Sequence, residues 1–164
     1  MKNIHEDYLR SIIFGFQDAL VSTTGAIAGV AIGTNNKHLV ILTGLVVITV
    51  EALSMGVGQY MSEKTVHQMD KTGKHTDSLY VGGILMTFAY FLGGLVPLSP
   101  IFLLQLPLSS YLSIIFAMCG LFILGFLKAK LVKVNPWKSA FEILILGGIT
   151  TVIGIIVGRL LKIS

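Results

Sequence analysis

Three residues in the apolar part of this chain carry side chains that can hold a cation: Asp18, Glu51 and Met55. Asp18 sits well inside the run from Ile12 to Ile32, and Glu51 and Met55 lie in a second run that ends near Tyr60. A carboxylate at membrane depth costs about 2.5–3.5 kcal/mol even on the mildest scale and is seldom kept without a use. Glu51 and Met55 are four residues apart, so they share one helix face, which Gly58 and Ser62 continue. At about 1.5 Å per residue, Asp18 lies about 9 Å inside one edge of its run, and Met55 about 8 Å inside the same edge of the next. In antiparallel neighbours the carboxylate and the thioether therefore fall at one level, with Glu51 one turn deeper. Carboxylates alone suit Mg2+, Ca2+ and Mn2+, and a soft sulfur moves the preference toward Fe2+ and its neighbours. Each residue has a plainer reading as well. Met55 can be a core gap-filler, and Asp18 can bond to Ser22, Thr23 or a neighbouring helix. Glu142, with Lys138 one turn back, suits the positive end of a helix.

The remaining chemistry is sparse. All four histidines (His5, His38, His67, His75) lie in the tail, at a helix end or in a polar interval. No H-E-x-x-H and no G-x-S-x-G occurs, so an enzyme is not expected. His67, Asp70 and His75 cluster near Met69 in the interval Ser62 to Ser78, where they could capture metal weakly, although a solvated loop is the simpler account. Cys119 is the single cysteine, which excludes an intramolecular disulfide.

The elements that must position these residues are membrane helices. The chain has 164 residues, 54% hydrophobic and 12% charged, with a mean hydropathy of +0.83. Soluble domains carry roughly twice that share of charge. Five apolar segments long enough to cross a bilayer are readable, at about 11–33, 38–61, 79–97, 108–128 and 139–161. The predicted fold is one all-α domain over 1–164, with the second helix able to continue through SEKTVHQM into a short connection at 62–78. Thr34 to Lys37 form a turn, the third segment stops at Pro97, and Asn135-Pro136 reads as an N-cap followed by a first-turn proline. Glu6 and Asp7 stand before a full-length apolar run, so no cleavable signal peptide is read. The first segment carries Gly25, Gly29 and Gly33 at four-residue steps, a surface for close helix packing, most simply at a two-fold axis. The net charge of +4 comes from residues between the apolar runs that form no face, which points to lipid headgroups as partners and not to nucleic acid.

The stretches RSIIFGFQDALVSTTGAIAGVAIG and GLVVITVEALSMGVGQYMSEK closely resemble the first two helices of the vacuolar iron transporter family. GGILMTFAYFLGGLVPLSP and LILGGITTVIGIIVGRLL extend the resemblance over most of the chain. The resemblance implies a five-helix protomer, a homodimer with the ion path at its interface, and export of Fe2+ or Mn2+ from the cytosol in exchange for H+. No permanently bound cofactor is implied. Asp18 matches the family's first-helix aspartate on the ion path, and Met55 its metal-ligating methionine. Glu51 rests on depth and facing alone. Two departures stand out: Ala19 replaces the glycine that usually follows the aspartate, and only Ser62 to Ser78 stands where long plant and fungal members carry a glutamate-rich cytoplasmic domain. That short form points to a prokaryotic cell membrane. Two other classes fit the residues: a transporter or channel for another small ion or solute, and a non-transporting membrane assembly protein built on the glycine stripe.

Topology follows from charge. Lys2, Arg10, Lys64, Lys71, Lys74, Lys128, Lys130, Lys133 and Lys138 fall on one side of a five-span protein; Lys37, Arg159 and Lys162 fall on the other. The richer side is expected in the cytoplasm, with the N-terminus inside and the C-terminus outside. Cysteines placed at Thr72 and Ser164 in a Cys119-free background should therefore react with an impermeant label from opposite sides. Labelling from one side would refute five spans.

Overall fold

The structure is a computed structural model and describes residues 6–70 and 78–162. It contains five helices: α1 (Glu6–Thr34), α2 (Lys37–Met69), α3 (Leu79–Leu103), α4 (Leu108–Val132) and α5 (Pro136–Leu160). All five are long and apolar enough to cross a membrane. Their ends follow local chemistry. The Asn36 side chain accepts from the amides of His38 (3.0 Å) and Leu39 (3.3 Å), starting α2. Asn135 does the same for Trp137 (3.1 Å) and Lys138 (3.2 Å), with Pro136 at the first helical position of α5. Lys133 closes α4 in the left-handed conformation at φ 60°.

One boundary differs from the sequence reading. The third span does not stop at Pro97; α3 runs through Pro97 and Pro100 to Leu103. A proline removes one bond to the carbonyl four residues back, and in a membrane another donor must serve that carbonyl. The Ser99 hydroxyl donates to the Val96 carbonyl at 2.8 Å, the oxygen that Pro100 cannot reach. Ser113 of α4 donates to the Pro97 carbonyl at 2.6 Å and ties the two helices together there. α2 continues as helix through SEKTVHQM to Met69, as the sequence reading allowed.

α1 is the hub and packs against each of the other four helices. α2 packs on α1 and α3, and α5 packs on α1 and α4, so α2 and α5 flank α1 without touching each other. Three buried clusters form around α1: Ile27, Val40, Ile48, Leu98 and Ile101 fill one, Leu20, Leu121 and Ile143 another, and Ala19, Ala52 and Tyr90 a third. The outer faces of α2 (Leu42, Val46, Val50, Leu53, Val57) and α5 (Ile145, Ile149, Ile153) are exposed and apolar, as lipid contact requires.

The glycine stripe of α1 is used within one chain. Gly29 and Gly33 lie against Gly154 and Gly158 of α5, where an added Cβ would come within 2.8 and 3.1 Å of the facing carbonyl oxygens. The sequence reading put this stripe most simply at a two-fold axis, but a matching Gly154–Gly158 stripe four residues apart on the same chain fills that place. Backbone cannot yield as a flexible side chain can, so Gly29→Leu should cost about 1–3 kcal/mol through overpacking. Gly148 has open space where its Cβ would be. In detergent, Gly29→Leu should melt well below wild type and Gly148→Leu close to it. Equal melting temperatures would mean that α1 and α5 do not pack on their glycines.

Candidate functional site

The site is built where α1, α2 and α3 converge. Glu51 of α2 is partly buried, and its Oε2 accepts from the Ser22 hydroxyl of α1 at 3.1 Å. The same oxygen accepts from the Tyr90 hydroxyl of α3, and the Ser22 and Tyr90 hydroxyls also meet each other. Tyr90 is fully buried and packs with Ala19, Ala52 and Met55. One carboxylate oxygen is thus held by two donors from two other helices, which is how a charge within an apolar bundle is kept in place.

The register of α1 against α2 follows from two contacts. Ser22 bonds Glu51, and twelve residues earlier on α1, Arg10 bonds Glu63 at 3.1 Å, twelve residues later on α2. The two helices are therefore antiparallel and in step, which puts Asp18 level with Met55. Asp18 shares its helix face with Ser22, and Met55 shares its face with Glu51. Asp18 itself is partly buried and, among the described residues, makes no hydrogen bond or ion pair. Ser22 is taken by Glu51, and the Thr23 hydroxyl is buried without a partner, so neither neutralises Asp18.

The face of α2 that begins with Glu51 and Met55 continues through Gln59 and Glu63, not through Gly58 and Ser62. Gly58 has open space around it and Ser62 is exposed. Both rows are helical neighbours of Met55, and packing against α1 and α3 selects the one with a four-residue step. Glu63 is buried, with Gln59 Nε2 donating to it at 2.9 Å beside Arg10, which also pairs with Asp7 at 3.2 Å. The row from Glu51 to Glu63 thus spans about 18 Å of α2, from mid-membrane toward the helix end. His67 stands four residues beyond Glu63, its Nδ1 at 3.0 Å from the Glu63 carbonyl oxygen. Asp70 caps α2 through its backbone, and His75 lies outside the described residues.

Sequence reasoning missed Tyr90, Arg10 and Glu63. A tyrosine counts as apolar in a hydropathy reading, and its place in the middle of α3, away from the interface belts where tyrosines gather, was the available signal. Glu63 was hidden by its polar neighbours. Ala19 is fully buried opposite Gly93 of α3, where a Cβ would lie 3.0 Å from its methyl group. The side chain missing on α3 makes room for the one on α1. Among the described residues no three His, Cys, Asp or Glu side chains of one chain gather closely enough to enclose a metal ion.

The sequence model of the VIT family matches residues 9–79 and 67–159, nearly the whole chain. The chain belongs to the VIT family. A curated relative, vacuolar iron transporter homolog 3 of Arabidopsis thaliana, is 26% identical over an alignment covering 85% of this chain and 76% of that protein. In this VIT-family protein the bond between Tyr90 and Glu51 is open to a direct test. Hydrogen bonds to charged groups contribute about 1.5–3 kcal/mol. Tyr90→Phe and Glu51→Gln should each lower the melting temperature, and the double variant should lose less than the sum, with a coupling of at least about 0.5 kcal/mol. Additive losses would show that the two side chains do not interact.

Proposed function

We propose that this protein is a divalent-metal transporter that moves Fe2+ or Mn2+ out of the cytosol in exchange for protons, working as a homodimer and not as an enzyme. The observation that carries this reading is Asp18: a carboxylate within a membrane helix, level with the Met55 thioether and without a partner among the described residues. Membership of the VIT family and a relative named as an iron transporter homologue support the choice of cargo. So does the donor set, since oxygen with soft sulfur favours Fe2+ and its neighbours.

One chain offers too few ligands to strip an ion of its water. A second copy related by a two-fold axis would supply another Asp18, Glu51 and Met55. The gap between α2 and α5, which do not touch, leaves one side of α1 for that copy. Exchange follows from competition, because a divalent cation and a proton bind the same carboxylate oxygens. Metal entering from the cytoplasmic side displaces protons, and protons return as metal leaves on the acidic side. Two Asp18 carboxylates near one axis would titrate as a coupled pair. The Glu51–Met55–Gln59–Glu63 row, ending at His67, supplies polar contacts along the cytoplasmic half of the path. The charge distribution supports an orientation with the N-terminus in the cytoplasm and the C-terminus outside, and the short form suits a prokaryotic cell membrane.

Proteoliposomes with an imposed pH gradient test the reading. Wild type should accumulate Fe2+ or Mn2+ in preference to Ca2+. Asp18→Asn keeps the shape and removes both charge and proton site. It should fold and dimerise normally yet transport at least roughly tenfold more slowly, the lower bound for losing a metal-site group. Met55→Leu keeps the bulk and, as a packing change alone, should cost under about 1.5 kcal/mol; as a ligand loss it should slow Fe2+ more than Mn2+. Near-normal pH-driven transport by Asp18→Asn would overturn the mechanism.

A further inference from the structure

At the end of the bundle away from Arg10 and Glu63, the C-terminal ends of α1 and α5 and the start of α4 enclose a cavity of about 400 Å³. Its polar wall is formed by Asn35, Ser110, Tyr111, Arg159 and Lys162. We propose that this cavity binds the phosphate of an anionic phospholipid headgroup.

Four observations converge on that chemistry. Arg159 and Lys162, three residues apart and so on one side of the chain, make no hydrogen bond or ion pair among the described residues. Among the described residues no carboxylate side chain lines the cavity, and its charged groups are the cations Arg159 and Lys162. The Ser110 hydroxyl is buried and lacks a hydrogen-bond partner. A buried hydroxyl without a partner is costly, and a ligand with spare acceptor oxygens satisfies it. Finally, α4 begins at Leu108 with no side-chain cap, so the positive end of its dipole faces the same region. Lys37, the other cation at this end, is already engaged, donating to the Phe102 carbonyl at 3.2 Å.

A phosphate diester fits this set because it offers acceptors in several directions to a guanidinium, an ammonium and a hydroxyl at once. The other wall selects a lipid over a free anion. Ile32, Ile114 and Ile155 line it, and a bundle of membrane-spanning length puts this end at headgroup level, with apolar wall for an acyl chain below. The site is independent of the transport reading, since none of its residues belongs to the Asp18–Glu51–Met55 group.

The test uses the full chain, delipidated in detergent, with thermal unfolding and native mass spectrometry as readouts. Dioctanoyl phosphatidylglycerol should raise the melting temperature and remain bound in the mass spectrum. Dioctanoyl phosphatidylcholine, with its compensating cation, should do so less, and inorganic phosphate should do neither. R159A/K162A should lose the phosphatidylglycerol shift, while the control K130A/K133A at the other end keeps it. Ser110→Ala should keep or raise the lipid-free melting temperature, because it removes a buried hydroxyl that has no protein partner, but should reduce the lipid shift. Equal shifts in wild type and R159A/K162A would overturn the site. Equal stabilisation by inorganic phosphate would overturn the lipid as its ligand.

Discussion

Inside a bilayer the helices of this protein gain little from burying apolar surface against one another, because lipid tails receive it equally well. What holds the bundle together is therefore close backbone approach. Gly29 and Gly33 meet Gly154 and Gly158 across the α1–α5 seam, and alanines at Ala19, Ala52, Ala117 and Ala140 sit wholly or almost wholly buried where other helices cross. α1 touches all four neighbours because much of its buried surface is glycine, alanine, serine and threonine. Every site residue on α1 inherits its position from that packing.

The same constraint separates the two mid-membrane carboxylates. Glu51 is surrounded by its own chain: Ser22 and Tyr90 donate to one oxygen and hold the side chain in a fixed place. Asp18, one turn away along the same seam, has no such support among the described residues. A satisfied carboxylate suits a fixed wall of a path, whereas an unsatisfied one has oxygens free for a cation, a proton or a second copy of the chain. On the transport reading proposed above, exchange chemistry would fall to Asp18, and Ser22 and Tyr90 would position Glu51.

The polar row on α2 links that centre to the end of the bundle. Gln59 and Glu63 would be costly facing lipid, but Arg10 and the Gln59 amide hold the Glu63 carboxylate between α1 and α2. This contact and the Ser22–Glu51 bond lie twelve residues apart on both helices, so α1 and α2 stay in register over more than three turns. Opposite charges thus set the sliding position of two helices whose apolar faces would tolerate several.

The sequence by itself determined the class of the protein: five apolar runs, two deep carboxylates, a glycine stripe and a methionine one turn from Glu51 are properties of composition and spacing. Helical period alone placed Glu51 and Met55 on one face. The sequence reading extended that face through Gly58 and Ser62, whereas the structure extends it through Gln59 and Glu63; both rows are neighbours on an isolated helix. Only packing against α1 and α3 chose between them. The glycine stripe likewise announced a close contact, which the sequence reading put most simply at a two-fold axis, and tertiary structure supplied α5 of the same chain. Pro97 looked like a stop because its missing donor is a local fact, whereas the hydroxyls of Ser99 and Ser113 that serve the carbonyls around the α3 prolines depend on a rotamer and on a neighbouring helix. Tyr90 was legible as a residue but not as a ligand to Glu51, since the bond joins residues thirty-nine apart in sequence and exists only once three helices have met.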